Sequence, residues 1–172
     1  MSGRERWLLA GQALLRSGGI ATVKLETLTA ETGLTTGSFY HHFANVDAFL
    51  EDLARFFGAD QIEASLAAVD DPDPLARLSD LVRRNRDEDM TTLYAAMRTW
   101  AESSDAAREA VRAADHRMLT FLETAFGDLG HDPDAARLRA LLFMSAGVAR
   151  IHPPWPIPRD ANEQILALLT PL

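Results

Sequence analysis

Apolar residues recur three and four positions apart along almost the whole chain, and no alternating run of β-branched residues bounded by turn pairs interrupts them. This periodicity predicts an all-α protein. The first helix is expected from about Arg4 to Ser17, with Trp7, Gly11, Leu14 and Leu15 on one face, and Gly18 and Gly19 then supply a stop. A short second helix from about Lys24 to Thr32 sets Leu25 and Leu28 on one side. It ends at Gly33, the residue type that takes a positive φ most cheaply. Thr35 is placed to cap a third helix that reaches about His42 and turns Leu34, Phe39 and Phe43 inward. Asn45 is placed to cap a fourth, whose Val46, Phe49, Leu50, Leu53, Phe56 and Phe57 form an apolar stripe linking this head to the rest of the chain.

Asp70-Asp71-Pro72-Asp73-Pro74 breaks the pattern, and Leu75, Leu78, Leu81 and Val82 then open another amphipathic stretch that ends in the polar run Arg83 to Asp89. Further helices are expected at about Met90–Glu102, Ala106–Phe126, Ala135–Ile151 and Asp160–Leu169, the last after the proline-rich connector Pro153 to Pro158. The expected architecture is about nine helices. A three-helix head and its linking helix occupy residues 1–57, and a helical bundle occupies residues 58–172.

Composition narrows the chemistry. Absence of cysteine removes thiolate catalysis, disulfide frameworks and cysteine-based zinc sites, and fits a reducing compartment. The segment Trp7 to Leu15 contains Gln12 and lacks a separate small-residue cleavage site, so it does not read as a secretory signal. No run approaches the roughly 18 apolar residues that span a bilayer. A cytoplasmic protein with no membrane partner and no cofactor is expected.

The net charge of −8 weighs against nucleic-acid binding, because lysine and arginine supply most of the affinity for phosphates. The acidity is not evenly spread. From Met1 to Asn45 there are four basic residues (Arg4, Arg6, Arg16, Lys24) and three acidic ones (Glu5, Glu26, Glu31), so this head is close to neutral. Two short helices joined by a tight glycine-containing turn can project the second into a DNA major groove. With Leu34, Phe39 and Phe43 inward, Thr36, Ser38, Tyr40, His41 and His42 are left to face solvent or DNA, and Gly37 allows close backbone approach. Lys24 and Thr35, at the starts of the two helices, complete the candidate set. The pattern alone fits an ordinary helical hairpin with a solvated face equally well.

Resemblance separates the two. Thr22 to Leu53, above all the run GLTTGSFYHHFANVDAFL, resembles the DNA-binding head of TetR-family transcriptional repressors, and the stretch LYAAMRTWAESSDAAREAVRAADHRMLTFLETAFGDLG resembles one common type of TetR-like ligand domain. The resemblance implies that Thr36, Gly37, Ser38, Tyr40, His41 and His42 face an operator in double-stranded DNA. Tyr40 and His42 would grip phosphates, and Thr36, Ser38 and His41 would reach bases. It implies that Phe39 and Phe43 hold the head together. The chain departs from the family pattern at Val46-Asp47, where a phosphate-contacting lysine is frequent, and at Glu26, where a basic residue would help.

The other candidate chemistries are thinner. His41 and His42 are adjacent and point about 100 degrees apart on a helix, which does not suit shared metal ligation. His116, His131 and His152 are dispersed, and none follows a glutamate by three positions, so di-iron bundle pairs are missing. No nucleophile elbow, phosphate loop or dinucleotide fingerprint occurs. An enzyme is therefore disfavoured, and its mark would be a buried carboxylate pair or a metal in the body. Phe56, Met90, Tyr94, Met97, Trp100, Met118 and Phe121 are of the types that line apolar ligand pockets, with plain core packing as the alternative for each. Arg98 and His116 are candidate polar contacts, with structural pairing as the alternative.

Leu138, Leu141, Leu142, Val148, Ile165 and Leu169 give the last two helices more apolar surface than a chain terminus needs, and Trp155 in the connector is placed to join it. The resemblance implies a small-molecule effector between the central helices and a homodimer joined through the last two helices. Such a dimer would set two recognition helices about 34 Å apart. A third reading, regulation through a protein partner with weak DNA contact, is kept alive by the neutral head.

Overall fold

The computed structural model describes residues 2–149 and 156–171. Besides a single 3-10 turn (Ile20–Thr22), its helices are α1 (Gly3–Gly18), α2 (Leu25–Thr32), α3 (Thr36–His42), α4 (Val46–Arg55), a π-helical segment (Phe56–Gln61), α5 (Ile62–Ala67), α6 (Pro74–Asp87), α7 (Met90–Ala101), α8 (Asp105–Asp128), α9 (Pro133–Ala149) and α10 (Ala161–Leu169). With α4, the π segment and α5 counted as one uninterrupted run, these are nine helices, and no strand occurs among the described residues. The all-α expectation holds. Several boundaries differ from it by one or two residues, α9 for instance beginning at Pro133 rather than Ala135. The linking helix does not stop at Phe57 but continues to Ala67, and α8 passes through Gly127, turning only at Gly130 where φ reaches 99°. The expected end of the α9 helix at Ile151 falls outside the described residues, as does Trp155.

The chain forms two compact units. The first comprises residues 1–61 and 92–113, and the second residues 62–91 and 114–172.

In the first unit α1 begins with a capping box: Ser2 Oγ accepts from the Glu5 amide and the Ser2 amide donates to Glu5 Oε2, both at 3.1 Å. Trp7, Leu8 and Leu15 of α1 are buried with Leu28 of α2, Phe39 of α3 and Phe49 and Leu53 of α4. Burial of each such large side chain contributes about 1.5–3 kcal/mol. Gln12 is the one buried polar residue among the described residues, and its Nε2 donates to Gln61 Oε1 at 2.6 Å, tying α1 to the π segment. Within that segment Gly58 lies against Ala110 of α8 so closely that an added Cβ would meet the Ala110 carbonyl oxygen at 2.7 Å.

The second unit has a mostly aliphatic core. Leu78, Leu81 and Val82 of α6, Leu122 and Phe126 of α8, Ala136 and Ala140 of α9 and Leu166 of α10 are all buried in it. Asp73 caps α6 through the Leu75 amide (3.1 Å), with Pro74 at the first helical position, where its missing N–H costs nothing. Arg139 Nε donates to the Leu169 carbonyl (2.9 Å) and so satisfies the end of α10.

Candidate nucleic-acid interface

Hydroxyl side chains and one glycine set the turn between α2 and α3. Thr27 Oγ1 accepts from the Lys24 amide (3.1 Å) where α2 starts. Gly33 ends it in the left-handed region, φ 66° and ψ 14°, a conformation that costs residues with a Cβ about 1–2 kcal/mol. Thr32 Oγ1 accepts from the Leu34 amide (3.2 Å), and Thr35 Oγ1 caps α3 by accepting from the Ser38 amide (3.2 Å). Asn45 Oδ1 caps α4 through the Ala48 amide (2.8 Å). Both expected caps are therefore made.

At seven residues α3 is too short to hold itself and depends on the ring cluster beneath it. Phe39 is fully buried, with Trp7 edge-on at 5.3 Å, Phe43 at 5.1 Å and Phe49 at 5.4 Å. Phe43 is buried as well, and the Arg4 guanidinium lies 5.7 Å from its ring centre while pairing with Asp52 at 2.7 Å. Leu34, expected inward, is half-buried. The opposite face of α3 is open. Thr36, Gly37 and His41 are exposed, Tyr40 is 51% exposed, and Ser38 and His42 are half-buried; Lys24 and Thr35 are exposed beside them. A Cβ on Gly37 would meet nothing nearer than Thr35 Oγ1 at 3.8 Å, so nothing within the protein demands glycine there.

Over nearly its whole length the chain superposes on solved transcriptional regulators. A transcriptional regulator from Rhodococcus sp. Rha1 superposes with a TM-score of 0.75 at 21% identity, covering 98% of this chain and 94% of that one. A TetR transcriptional regulator from Legionella pneumophila gives 0.76 at 14%, covering 98% and 96%. One from Haloarcula marismortui gives 0.74 at 17%, covering 97% and 94%. The chain has the TetR-family fold. No protein-family model and no curated protein matches the sequence. At these identities the likeness speaks for the fold, and the chemistry rests on this chain's own residues.

Within this TetR fold the remaining candidate residues fall in different places. Phe56 of the π segment and Tyr94, Met97, Arg98 and Trp100 of α7 belong to the first unit, where Met97 and Trp100 are buried and Tyr94 meets the Phe57 ring edge-on at 5.0 Å. Met90, His116, Met118 and Phe121 belong to the second, where Met90 is buried, His116 is exposed, and Met118 and Phe121 lie partly buried on the aliphatic core. The nine candidate effector contacts are thus not gathered into one compact unit.

On α9, Leu138, Leu141, Leu142 and Val148 are exposed, Leu138 by 57%, and on α10 Leu168 is 80% exposed while Ile165 and Leu169 are half-buried. Among the described residues no three metal-ligating side chains cluster, and no helix is long and apolar enough to cross a membrane. Sequence reasoning missed the Gln12–Gln61 tie and the contact of Gly58 with Ala110. A lone glutamine on the buried face of α1 was the available signal for the first, and the second left none.

Proposed function

We propose that this TetR-fold protein is a non-enzymatic, homodimeric DNA-binding transcriptional regulator, a repressor that a small-molecule effector in the body (residues 58–172) releases from its operator. The open face of α3 carries the reading. Hydroxyl, phenol and imidazole groups project there from a helix whose other side is locked by four rings. Glycine at position 37 has no use inside the protein and suits a close approach from outside. Tyr40 and His42 are assigned to phosphates, and Thr36, Ser38 and His41 to base edges. Lys24 and Thr35 flank this surface.

The exposed leucines of α9 and α10 support the dimer, since several large apolar side chains left open at helical spacing, Leu138, Leu141 and Leu142 among them, suit a partner. Release is a population shift: an effector that prefers the geometry unable to bind DNA lowers operator affinity by the ratio of its two affinities. Phe56, Met90, Tyr94, Met97, Arg98, Trp100, His116, Met118 and Phe121 are the residues proposed to sense it.

Selection of duplexes from a random pool at low salt, followed by footprinting, tests the reading. Protected half-sites are expected one helical turn, about 34 Å, apart, and Tyr40→Phe should weaken binding severalfold through the loss of one hydrogen bond. Leu141→Asp should raise the dimer dissociation constant about tenfold or more in sedimentation, because it sets a charge in an apolar contact. A chain that selects no duplex and sediments as a monomer would refute the proposal. Selection of no duplex by a dimeric chain would favour the protein-partner reading that the neutral head allows.

A further inference from the structure

Residues 1–45 carry four basic side chains against three acidic ones, and none of the four lies on α3, whose sequence is Thr-Gly-Ser-Phe-Tyr-His-His. Two of the four are occupied elsewhere: Arg4 pairs with Asp52 (2.7 Å), and Arg6 donates to the Thr32 carbonyl (3.1 Å). DNA affinity comes chiefly from cationic groups that neutralise phosphates. The recognition helix itself carries no lysine or arginine, and Lys24 lies beside it at the start of α2. The last turn of α3 holds two imidazoles, the side chain type that gains charge just below neutral pH, at the helix end where the carbonyl dipoles favour a cation.

The surroundings leave that charge available to a phosphate. His41 is exposed; His42 is half-buried against Gly3 of α1, with its ring centre 5.0 Å from that of His41. The charged groups on the elements around α3 are Arg4, Glu5, Arg6 and Arg16 of α1, Lys24, Glu26 and Glu31 of α2 and its cap, and Asp47, Glu51, Asp52 and Arg55 of α4. Glu5 accepts from the Ser2 amide (3.1 Å), and Asp52 accepts from both Arg4 and Arg55 (2.7 Å each). Among the described residues no carboxylate pairs with either imidazole. A DNA phosphate would fill that place.

We propose that this helix grips DNA in an imidazolium form, so that operator binding takes up about one proton at the His41–His42 pair. The inference rests on the DNA-binding reading above and gives it a sign: affinity rises as the medium becomes more acidic, and the gain is electrostatic.

The test uses the full chain and a duplex selected at about pH 6 and low salt, with affinity read by fluorescence anisotropy between about pH 6 and pH 8 at constant ionic strength. The dissociation constant should fall about tenfold from the upper to the lower pH. The salt slope should steepen by about one ion at the acid end. His41→Gln combined with His42→Gln should keep helical circular dichroism and residual binding while losing the pH dependence. A flat wild-type profile overturns the proton linkage and leaves the regulator reading standing, and needs no variant to observe. A double variant that keeps the full rise overturns it too, by placing the proton elsewhere. Failure to select any duplex at about pH 6 overturns both.

Discussion

Beneath α3 the first unit is built from rings: Trp7, Phe39, Phe43 and Phe49 meet at centroid distances of 5.0–5.4 Å, edge-on or tilted. The second unit is built around Phe126 from Leu78, Leu81, Val82, Leu122 and Leu166, on helices as long as the 24 residues of α8. The difference follows from what each must hold. A seven-residue helix offers few positions for anchoring, so each anchor has to be large and directional, as aromatic pairs are. A long helix fixes its place by many small contacts, and aliphatic side chains suffice. The first arrangement concentrates the risk on one residue, while the second spreads it.

The strongest way to break this contrast is to remove the two central rings. Phe39→Ala and Phe126→Ala each delete a fully buried aromatic, and each should cost about 3–5 kcal/mol in urea unfolding. Their consequences should diverge. Phe39→Ala is expected to abolish DNA binding at temperatures where sedimentation still shows an unchanged association state; Phe126→Ala should weaken association before it weakens DNA binding. Equal loss of both properties in both variants would show that the units do not respond separately, and the comparison would fall.

A second contrast opposes two helical glycines. Gly58→Ala drives a Cβ to 2.7 Å from the Ala110 carbonyl oxygen and 2.8 Å from its Cα, contacts with backbone that cannot swing aside. It should destabilise the first unit by about 1–3 kcal/mol. Gly127→Ala meets nothing within 4 Å on α8 and should stabilise the second by about 0.5–1 kcal/mol through helix propensity alone. Thermal denaturation of the two variants reads the opposite signs directly.

These glycines also mark how far the sequence could be read. The head was legible because its punctuation is local: Gly33 requires a positive φ, and Thr35 and Asn45 make their cap bonds three residues on, so each signal lies within one turn of its effect. Phe39 and Phe43 were legible as anchors for the same reason, their spacing of four setting them on one face of α3. The α8 helix runs past its expected end at Phe126 because an exposed glycine such as Gly127 costs a helix only about 1 kcal/mol, which the neighbouring Phe126 and Ala125 offset by burial. The π segment leaves no mark in the sequence, since Phe56 and Phe57 continue an apolar stripe under either helical winding, and the approach of its Gly58 to Ala110 spans 52 residues of sequence. Side-chain type alone singles out the candidate effector residues, and type does not encode which compact unit a residue joins.

Helix ends give the smallest expected effect. Thr35 supplies α3 with its only side-chain cap at the N-terminus, and Thr35→Ala strands the Ser38 amide in a helix with few other hydrogen bonds to share the loss. About 1 kcal/mol is expected. Asp160, in the equivalent position before α10, makes no cap bond to the backbone and, among the described residues, accepts from the exposed Gln164 side-chain amide at 2.9 Å. Asp160→Ala should change stability by less than about 0.5 kcal/mol. Urea midpoints measured on both variants separate the cases, and amide hydrogen exchange at Ser38 gives a local reading. If Thr35→Ala leaves both unchanged, the turn is held by Gly33 and the buried rings alone. The economy of the head would then reside wholly in its aromatic core.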